Sequence, residues 1–307
     1  MKLLVPFHIG DRFKEIGNKV LGKDNVIWYP DSGEADALLI RDNDYPKDKN
    51  FKFIQTVSAG TDHIDMNKIP ANTLVASNAG AYSISVAEHA FALLLEGTKR
   101  ISIFEDETKN GIYRPHSTKL LYGRTVGIIG YGGIGSRVAY IAKALGMKVV
   151  TVGRGHRDQN SDEFLGLDKL DKLLVQSDFI VISIPLTIQT EDMLTERNLK
   201  LLKKDCIIVN VARPELVKKS DLLQFLDSHG DVTYMTDVWW NEPNLDDSNR
   251  KNIVVTPHVA GGLSGEIMEV AYLRAFENIK RFMQGEIPLN LVRKDESLYL
   301  NRKKIGI

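Results

Sequence analysis

The run Gly130-Tyr131-Gly132-Gly133-Ile134-Gly135 fits G-x-G-x-x-G, standing after the apolar stretch Val126-Gly127-Ile128-Ile129 and opening a helical pattern that is clearest over residues 138–145. At such a turn the first glycine permits a tight bend. The second lets the backbone approach a pyrophosphate, and the third allows the helix to pack closely on the strand. The phosphate charge then meets N–H groups at the helix N-terminus. The chemistry on offer is dinucleotide binding, with these six residues as candidate cofactor contacts. The next strand ends Thr151-Val152-Gly153-Arg154-Gly155-His156-Arg157. NAD normally calls for an acidic residue there, to hold the ribose hydroxyls. Gly153 instead leaves room for a 2′-phosphate, and Arg154 is suited to bind it, with His156 and Arg157 adding charge. NADP is therefore the expected cofactor and NAD the alternative. On that alternative the basic residues form a solvated loop, and Asp158, five residues too far along, would have to swing in.

Three later segments carry polar side chains just past apolar runs: Val209-Asn210-Val211-Ala212-Arg213-Pro214, Asp237-Val238-Trp239-Trp240-Asn241-Glu242-Pro243 and Thr256-Pro257-His258-Val259-Ala260-Gly261. That places each at the carboxyl edge of a parallel sheet, where open α/β proteins bind ligands. Taken singly, each has an ordinary explanation: a loop histidine after proline, or an arginine paired with a nearby acid.

The elements that must position these residues alternate along the chain. Residues 2–5, 26–29, 37–40 and 53–57 read as strands separated by room for helices, and residues 85–96 form a strong helix with a broad apolar face. An irregular stretch over 106–122 reads as a linker or arm. From residue 125 the pattern is strand, glycine turn, helix and strand, with further strands at 148–152, 179–184, 207–211, 232–235 and 253–255 and a last helix at 265–283. This is α/β architecture with parallel sheets. At 307 residues two domains are expected. Forty basic residues balance forty acidic ones, so nothing electrostatic favours nucleic acid or an anionic membrane surface. No stretch approaches the roughly 20 apolar residues of a membrane span, and the N-terminus does not read as a signal peptide, so a cytoplasmic protein is expected. Cys206 is the single cysteine, in the apolar run Cys206-Ile207-Ile208-Val209, and reads as a buried strand thiol; no metal site is expected.

Together the three segments resemble the D-isomer-specific 2-hydroxyacid dehydrogenase family, and the resemblance extends over nearly the whole chain. Arg213 matches the arginine of the family's Asn-x-x-Arg segment, Glu242 the acid of Asp-Val-x-x-x-Glu-Pro, and His258 the histidine of Pro-His-x-x-Gly. Upstream, residues 57–65 look like its substrate-carboxylate loop, Asn78 and Val86-Ala87-Glu88-His89 like its next signature, and Pro185-Leu186-Thr187 with Thr190 like its loop beside the nicotinamide. The resemblance implies two doubly wound parallel-sheet domains, a Rossmann cofactor domain at 98–284 inserted into a flavodoxin-like substrate domain at 1–97 and 285–307. It implies reduction of a small 2-keto acid such as glyoxylate or hydroxypyruvate to a D-2-hydroxy acid, closest to the glyoxylate/hydroxypyruvate reductase and glycerate dehydrogenase branch. Arg213 would hold the substrate oxygens, His258 would donate the proton, and Glu242 would orient its imidazole. Ser58, Ala59, Gly60 and Trp239 would bind substrate, while Pro185, Thr190, Val211, Ala212 and Asp237 would join the cofactor residues. A homodimer through residues 86–122 is implied as well.

Several positions depart from the family pattern. Pro214 stands where glycine is usual, Lys218 and Lys219 where an acid is common, Ser183 where histidine is frequent, and Asn78-Ala79-Gly80-Ala81 replaces a proline-containing version. The Trp239–Trp240 pair admits one core aromatic and one pocket wall. Two other functions stay open: a dehydrogenase for a bulkier 2-keto acid or 3-phosphoglycerate, and a dinucleotide-sensing corepressor of the same fold.

Overall fold

A computed structural model describes residues 1–42, 45–46, 49–154, 158–262 and 264–296. The chain forms two compact units, Met1–Tyr82 with Gly262–Ile307, and Ser83–Gly261.

In the first unit, strands β1 (Leu3–Val5), β2 (Val26–Trp28), β3 (Ala37–Ile40), β4 (Phe53–Thr56) and β5 (Leu74–Ala76) form an all-parallel sheet in the order β2-β1-β3-β4-β5. The period-2 alternation of a strand divides their apolar side chains between two faces. Leu3, Val5, Ala37, Leu39 and Phe53 pack with Tyr272, Ala275, Phe276 and Ile279. Leu4, Leu38, Ile40, Ile54 and Val75 pack with Phe51, Ile64, Met66 and Ile69. Burial on both faces explains why these strands read as unbroken apolar runs. Helix α1 (Asp11–Leu21) lies on the first face.

The second unit opens with helices α2 (Ser83–Lys99) and α3 (Ile101–Lys109). Its sheet joins β6 (Thr125–Ile129), β7 (Lys148–Val152), β8 (Glu163–Leu165), β9 (Phe179–Ile182), β10 (Ile207–Asn210), β11 (Thr233–Thr236) and β12 (Ile253–Val255). All pairs are parallel, in the order β12-β11-β10-β9-β6-β7-β8. Helices α4 (Gly133–Ala144), α5 (Leu170–Gln176), α6 (Glu196–Leu199) and α7 (Lys219–Ser228) connect the strands. The strand order reverses between β6 and β9, which is where a doubly wound sheet presents its ligand crevice. The glycine turn leaves β6 at that point.

The chain returns to the first unit with α8 (Gly265–Met283), capped by the Ser264 hydroxyl, which accepts from the Ile267 N–H. The first unit is thus built from two separate stretches of chain. The division between the units falls at 82/83 and 261/262. The reason is packing: α2 lies against α4, β10 and β11, while α8 lies against α1 and β4. Gly97 allows the close approach of α2, since a Cβ there would sit 2.6 Å from Met235 Sδ.

Candidate active site

The glycine turn is built as its spacing requires. Gly130 has φ +100°, and a Cβ on it would lie 2.5 Å from the Ile184 nitrogen. A Cβ on Gly135 would collide with the Gly130 carbonyl oxygen. Gly132, in contrast, faces open space: an added Cβ would meet nothing within 4 Å. It is the N-cap of α4, no side chain caps that end, and no acid stands in the first turn. Uncapped N–H groups beside a glycine with free space in front fit a pyrophosphate. The turn is tied to the sheet by Gly130 N–H to the Val152 carbonyl at 2.8 Å and by the Ser183 hydroxyl to the Gly130 carbonyl at 2.9 Å. Ser183 is therefore a brace for the turn.

At the end of β7, a Cβ on Gly153 would lie 3.2 Å from the Tyr131 nitrogen and 3.8 Å from the Phe164 ring, so this small residue faces the glycine turn. Arg154 follows directly; His156 and Arg157 lie outside the described residues. Asp158, five residues on, does reach the turn, its carboxylate accepting from the Tyr131 hydroxyl and from the Asn160 N–H. Burial and the neighbouring Asp158 carboxylate both push the Tyr131 phenol above its ordinary range.

His258 and Glu242 meet. His258 Nδ1–H donates to Glu242 Oε2 at 2.9 Å, and the other oxygen, Oε1, accepts from the Trp239 N–H at 2.7 Å. With both oxygens held, the carboxylate fixes the ring and its tautomer, leaving Nε2 as the nitrogen for proton exchange. His258 itself adopts φ +56°, a left-handed conformation that costs a non-glycine residue about 1–3 kcal/mol and persists only when its surroundings enforce it. The enforcing group is Asp237, 1% exposed. Its Oδ1 accepts from the Thr256 hydroxyl at 2.6 Å and the Val259 N–H at 2.9 Å, and Oδ2 accepts from the Ala260 N–H at 2.7 Å. Asp237, expected at the cofactor, thus has its carboxylate committed to the loop that carries His258.

Arg213 follows β10 on a turn shaped by Asn210. The fully buried Asn210 amide donates to the Arg213 carbonyl at 2.9 Å and to the Tyr234 hydroxyl at 3.0 Å, while Oδ1 accepts from the Ala212 N–H at 3.0 Å. The Val211 N–H goes to the Ile182 carbonyl. Pro214 occupies the first position of the one-turn 3₁₀ helix Pro214–Leu216, where its fixed φ suits the helix and its missing N–H costs nothing. That explains how the departure from glycine is tolerated. Lys218 and Lys219, at an α7 N-terminus that would favour acids, are offset by Asp221 at 3.1 Å and by Asp246 and Asp247 at 2.8 and 3.1 Å.

The two tryptophans of the Asp237–Pro243 segment are placed differently. Trp239 was expected to bind substrate, but it is 2% exposed, its indole N–H donates to the Asp246 carbonyl, and its ring meets Trp240 edge-on at 5.0 Å. It is a core aromatic with its polar atom satisfied. Trp240 instead lines a cavity of about 540 Å³ at the start of α7, along with Glu191, Glu215, Lys218 and Lys219. Thr190 is also turned inward: its hydroxyl donates to the Pro185 carbonyl at 2.8 Å and accepts from the Thr187 N–H, shaping the 185–190 loop. Sequence reading gave no role to Asn210, Thr256, Ser85 or His89. The signal for Asn210 was a turn-forming side chain at a strand end.

In the first unit, the 57–63 loop is held from within. The Ser58 hydroxyl donates to the Gly60 carbonyl at 2.9 Å, and Thr56 Oγ1 donates to the Ser58 carbonyl at 2.7 Å. Buried Asn78 donates to the carbonyls of Val57 and Ala271. Among the described residues, the N–H groups of Ala59 and Gly60 have no protein acceptor.

The model of the D-isomer specific 2-hydroxyacid dehydrogenase family, NAD binding domain, matches residues 91–260. The chain belongs to this family. As a 2-hydroxyacid dehydrogenase it is an oxidoreductase with a Rossmann NAD-binding domain. A glycerate dehydrogenase related protein of Thermoplasma acidophilum, known from its crystal structure, is 48% identical, with a TM-score of 0.72 over 92% of this chain and 100% of that one. A glyoxylate reductase of Thermococcus gammatolerans is 31% identical over 80% of this chain and 77% of its own length. A glycerate dehydrogenase of Methylorubrum extorquens is 32% identical over 79% of each. Among the described residues of this dehydrogenase, no helix is long and apolar enough to cross a membrane, and no cluster of His, Cys, Asp and Glu could hold a metal.

Proposed function

We propose that this dehydrogenase reduces a small 2-keto acid, glyoxylate or hydroxypyruvate, to the D-2-hydroxy acid with NADPH. The observation that carries the reading is the His258–Glu242 pair, a ring whose Nδ1 is occupied by a carboxylate fixed in turn by the Trp239 N–H. Protonated His258 gives its Nε2 proton to the keto oxygen as negative charge develops there. Arg213 binds the substrate oxygens through charge-assisted bonds. Within the first unit, the Ala59 and Gly60 N–H groups suit a carboxylate. Residues 130–135, Gly153 and Arg154 would hold the dinucleotide, whose nicotinamide supplies the hydride when bound.

A second reading of the cofactor has its own observation. Asp158 stands beside the glycine turn on Tyr131, and an acid there suits the ribose hydroxyls of NAD. Initial rates with NADPH and with NADH against glyoxylate, hydroxypyruvate, pyruvate and phenylpyruvate test both. The expected result is NADPH-dependent reduction of the first two; NADH preference assigns the ribose to Asp158, and turnover confined to phenylpyruvate overturns the small-substrate reading. Replacing His258 by alanine is expected to lower kcat at least about 100-fold while NADPH still binds. A near-normal kcat removes His258 from the chemistry.

The homodimer belongs to the same proposal. Ile101, Tyr113, Leu120 and Tyr122 are 63%, 95%, 67% and 77% exposed along one stretch of chain. These exposed apolar side chains support the reading that a second copy covers this stretch. Light scattering is expected to give twice the 34.4 kDa chain mass, and Tyr122→Glu to shift it toward the monomer; a monomeric parent protein rules the dimer out.

A further inference from the structure

His89 lies in α2, four residues after Ser85, so the two side chains share one helix face. Both reach the loop that carries His258. Ser85 Oγ donates to the Ala260 carbonyl at 2.7 Å, and His89 Nε2 is 2.9 Å from Thr256 Oγ1. The direction of the second bond follows from counting protons. The Thr256 hydroxyl has one, and its 2.6 Å contact with Asp237 Oδ1 takes it, the Thr236 carbonyl at 3.4 Å being the poorer acceptor. Thr256 Oγ1 therefore accepts from His89, whose proton sits on Nε2. That N–H is also 3.5 Å from Asp237 Oδ1.

A relay results: His89 to Thr256, Thr256 to Asp237, and Asp237 to the N–H groups of Val259 and Ala260. It grips the loop on both sides of His258, the residue in the left-handed conformation.

We propose that His89 is a positioning residue: through Thr256 and Asp237 it holds the 256–260 loop so that His258 keeps its hydrogen bond to Glu242. The proposal rests on the reading of His258 as proton donor, and its test separates the two.

His89→Leu removes the donor, and His89→Gln keeps an N–H near the Nε2 position. With keto acid and NADPH, His89→Leu is expected to lower kcat about ten-fold or more, with KM and the NADPH dissociation constant changed less than about two-fold. His89→Gln is expected to recover most of the loss, and Thr256→Val to repeat it by breaking the relay one bond later. A measurement free of turnover uses proton NMR with ring-labelled histidine. The His258 Nδ1–H signal, identified by its disappearance in His258→Ala, is expected to persist in the parent and in His89→Gln and to move or vanish in His89→Leu. Parent-like kcat and an unmoved signal in His89→Leu overturn the proposal, as does equal loss in the leucine and glutamine variants. If His258→Ala retains turnover, the donor reading falls, and the NMR comparison still decides whether His89 positions the ring.

Discussion

An imidazole, a guanidinium and a carboxylate can act on a substrate as proposed only if each is held by something else, and here the holding groups are identifiable. Glu242 is fixed by a backbone N–H, His258 by Glu242 and by the Asp237 loop, Arg213 by the Asn210 turn. On the proposed reading, Arg213 is the side chain whose shape bears on substrate. Its planar fork offers paired donors that an ammonium lacks. Arg213→Lys keeps the charge and loses one charge-assisted bond, worth about 1.5–3 kcal/mol, so KM for the keto acid is expected to rise roughly ten- to a hundred-fold. Titrating the variant's initial rates against substrate checks this, and an unchanged KM would separate Arg213 from the substrate. At this scale the sequence was legible where residue type and spacing coincide: the glycine turn, the histidine–glutamate pair, and Cys206, a fully buried thiol pushed up to about 12 by burial. It was illegible where a side chain's direction decides its role. Nothing in Asp-Val-Trp-Trp says that Trp239 turns to the core and Trp240 to a cavity, or that Asp237 spends both oxygens on a loop 19 to 23 residues ahead.

Elements follow the same logic. The long or fully buried ones were readable from their apolar pattern: β6, β7, β9, β10 and the helix Gly265–Met283 stand where they were expected. Among the elements given no range from sequence were β5 and β8, three-residue outermost strands that are partly exposed, and α3, which buries no residue. A strand of three residues has too few positions for an alternation to show, and α3 is only nine residues long and buries none of them. The glycine turn shows the opposite case, in which an element junction is dictated by one atom. Gly130→Ala must place a Cβ 2.5 Å from the Ile184 nitrogen at φ +100°. Either the β6–α4 turn or the start of the 184–190 loop has to shift, at a cost of about 1–3 kcal/mol from overpacking alone. The expected outcome is a lowered Tm together with a loss of NADPH binding, read by quenching of protein fluorescence. A variant that binds as the parent does would mean that the turn is free to relax, contrary to its bonds from Val152 and Ser183.

On the scale of the whole chain, the two units differ in how they are assembled. The second, Ser83–Gly261, is one continuous segment with its own seven-stranded sheet. The first needs two segments, because α8 supplies Tyr272, Phe276 and Ile279 to the core over β1, β3 and β4. Sequence pattern announced both helices but not their allegiance, since an amphipathic face does not name the sheet it covers. The assembly has a consequence for fragments. A chain of residues 83–261 is expected to fold alone, give a cooperative melt and bind NADPH, because its strands pair only with one another. A chain of residues 1–82 is expected to stay unfolded. Burying each large apolar side chain is worth about 1.5–3 kcal/mol, so losing the three from α8 removes about 4.5–9 kcal/mol. That rivals the whole stability of a domain, about 5–15 kcal/mol. Adding residues 262–307 in trans, or fusing them through a flexible linker, is expected to restore a cooperative melt to the first unit. Circular dichroism and cofactor titration on the three chains check this. A folded 1–82 fragment would show that α1 alone suffices to cover that face of the sheet, and an unfolded 83–261 fragment that the second unit's boundaries are drawn too tightly.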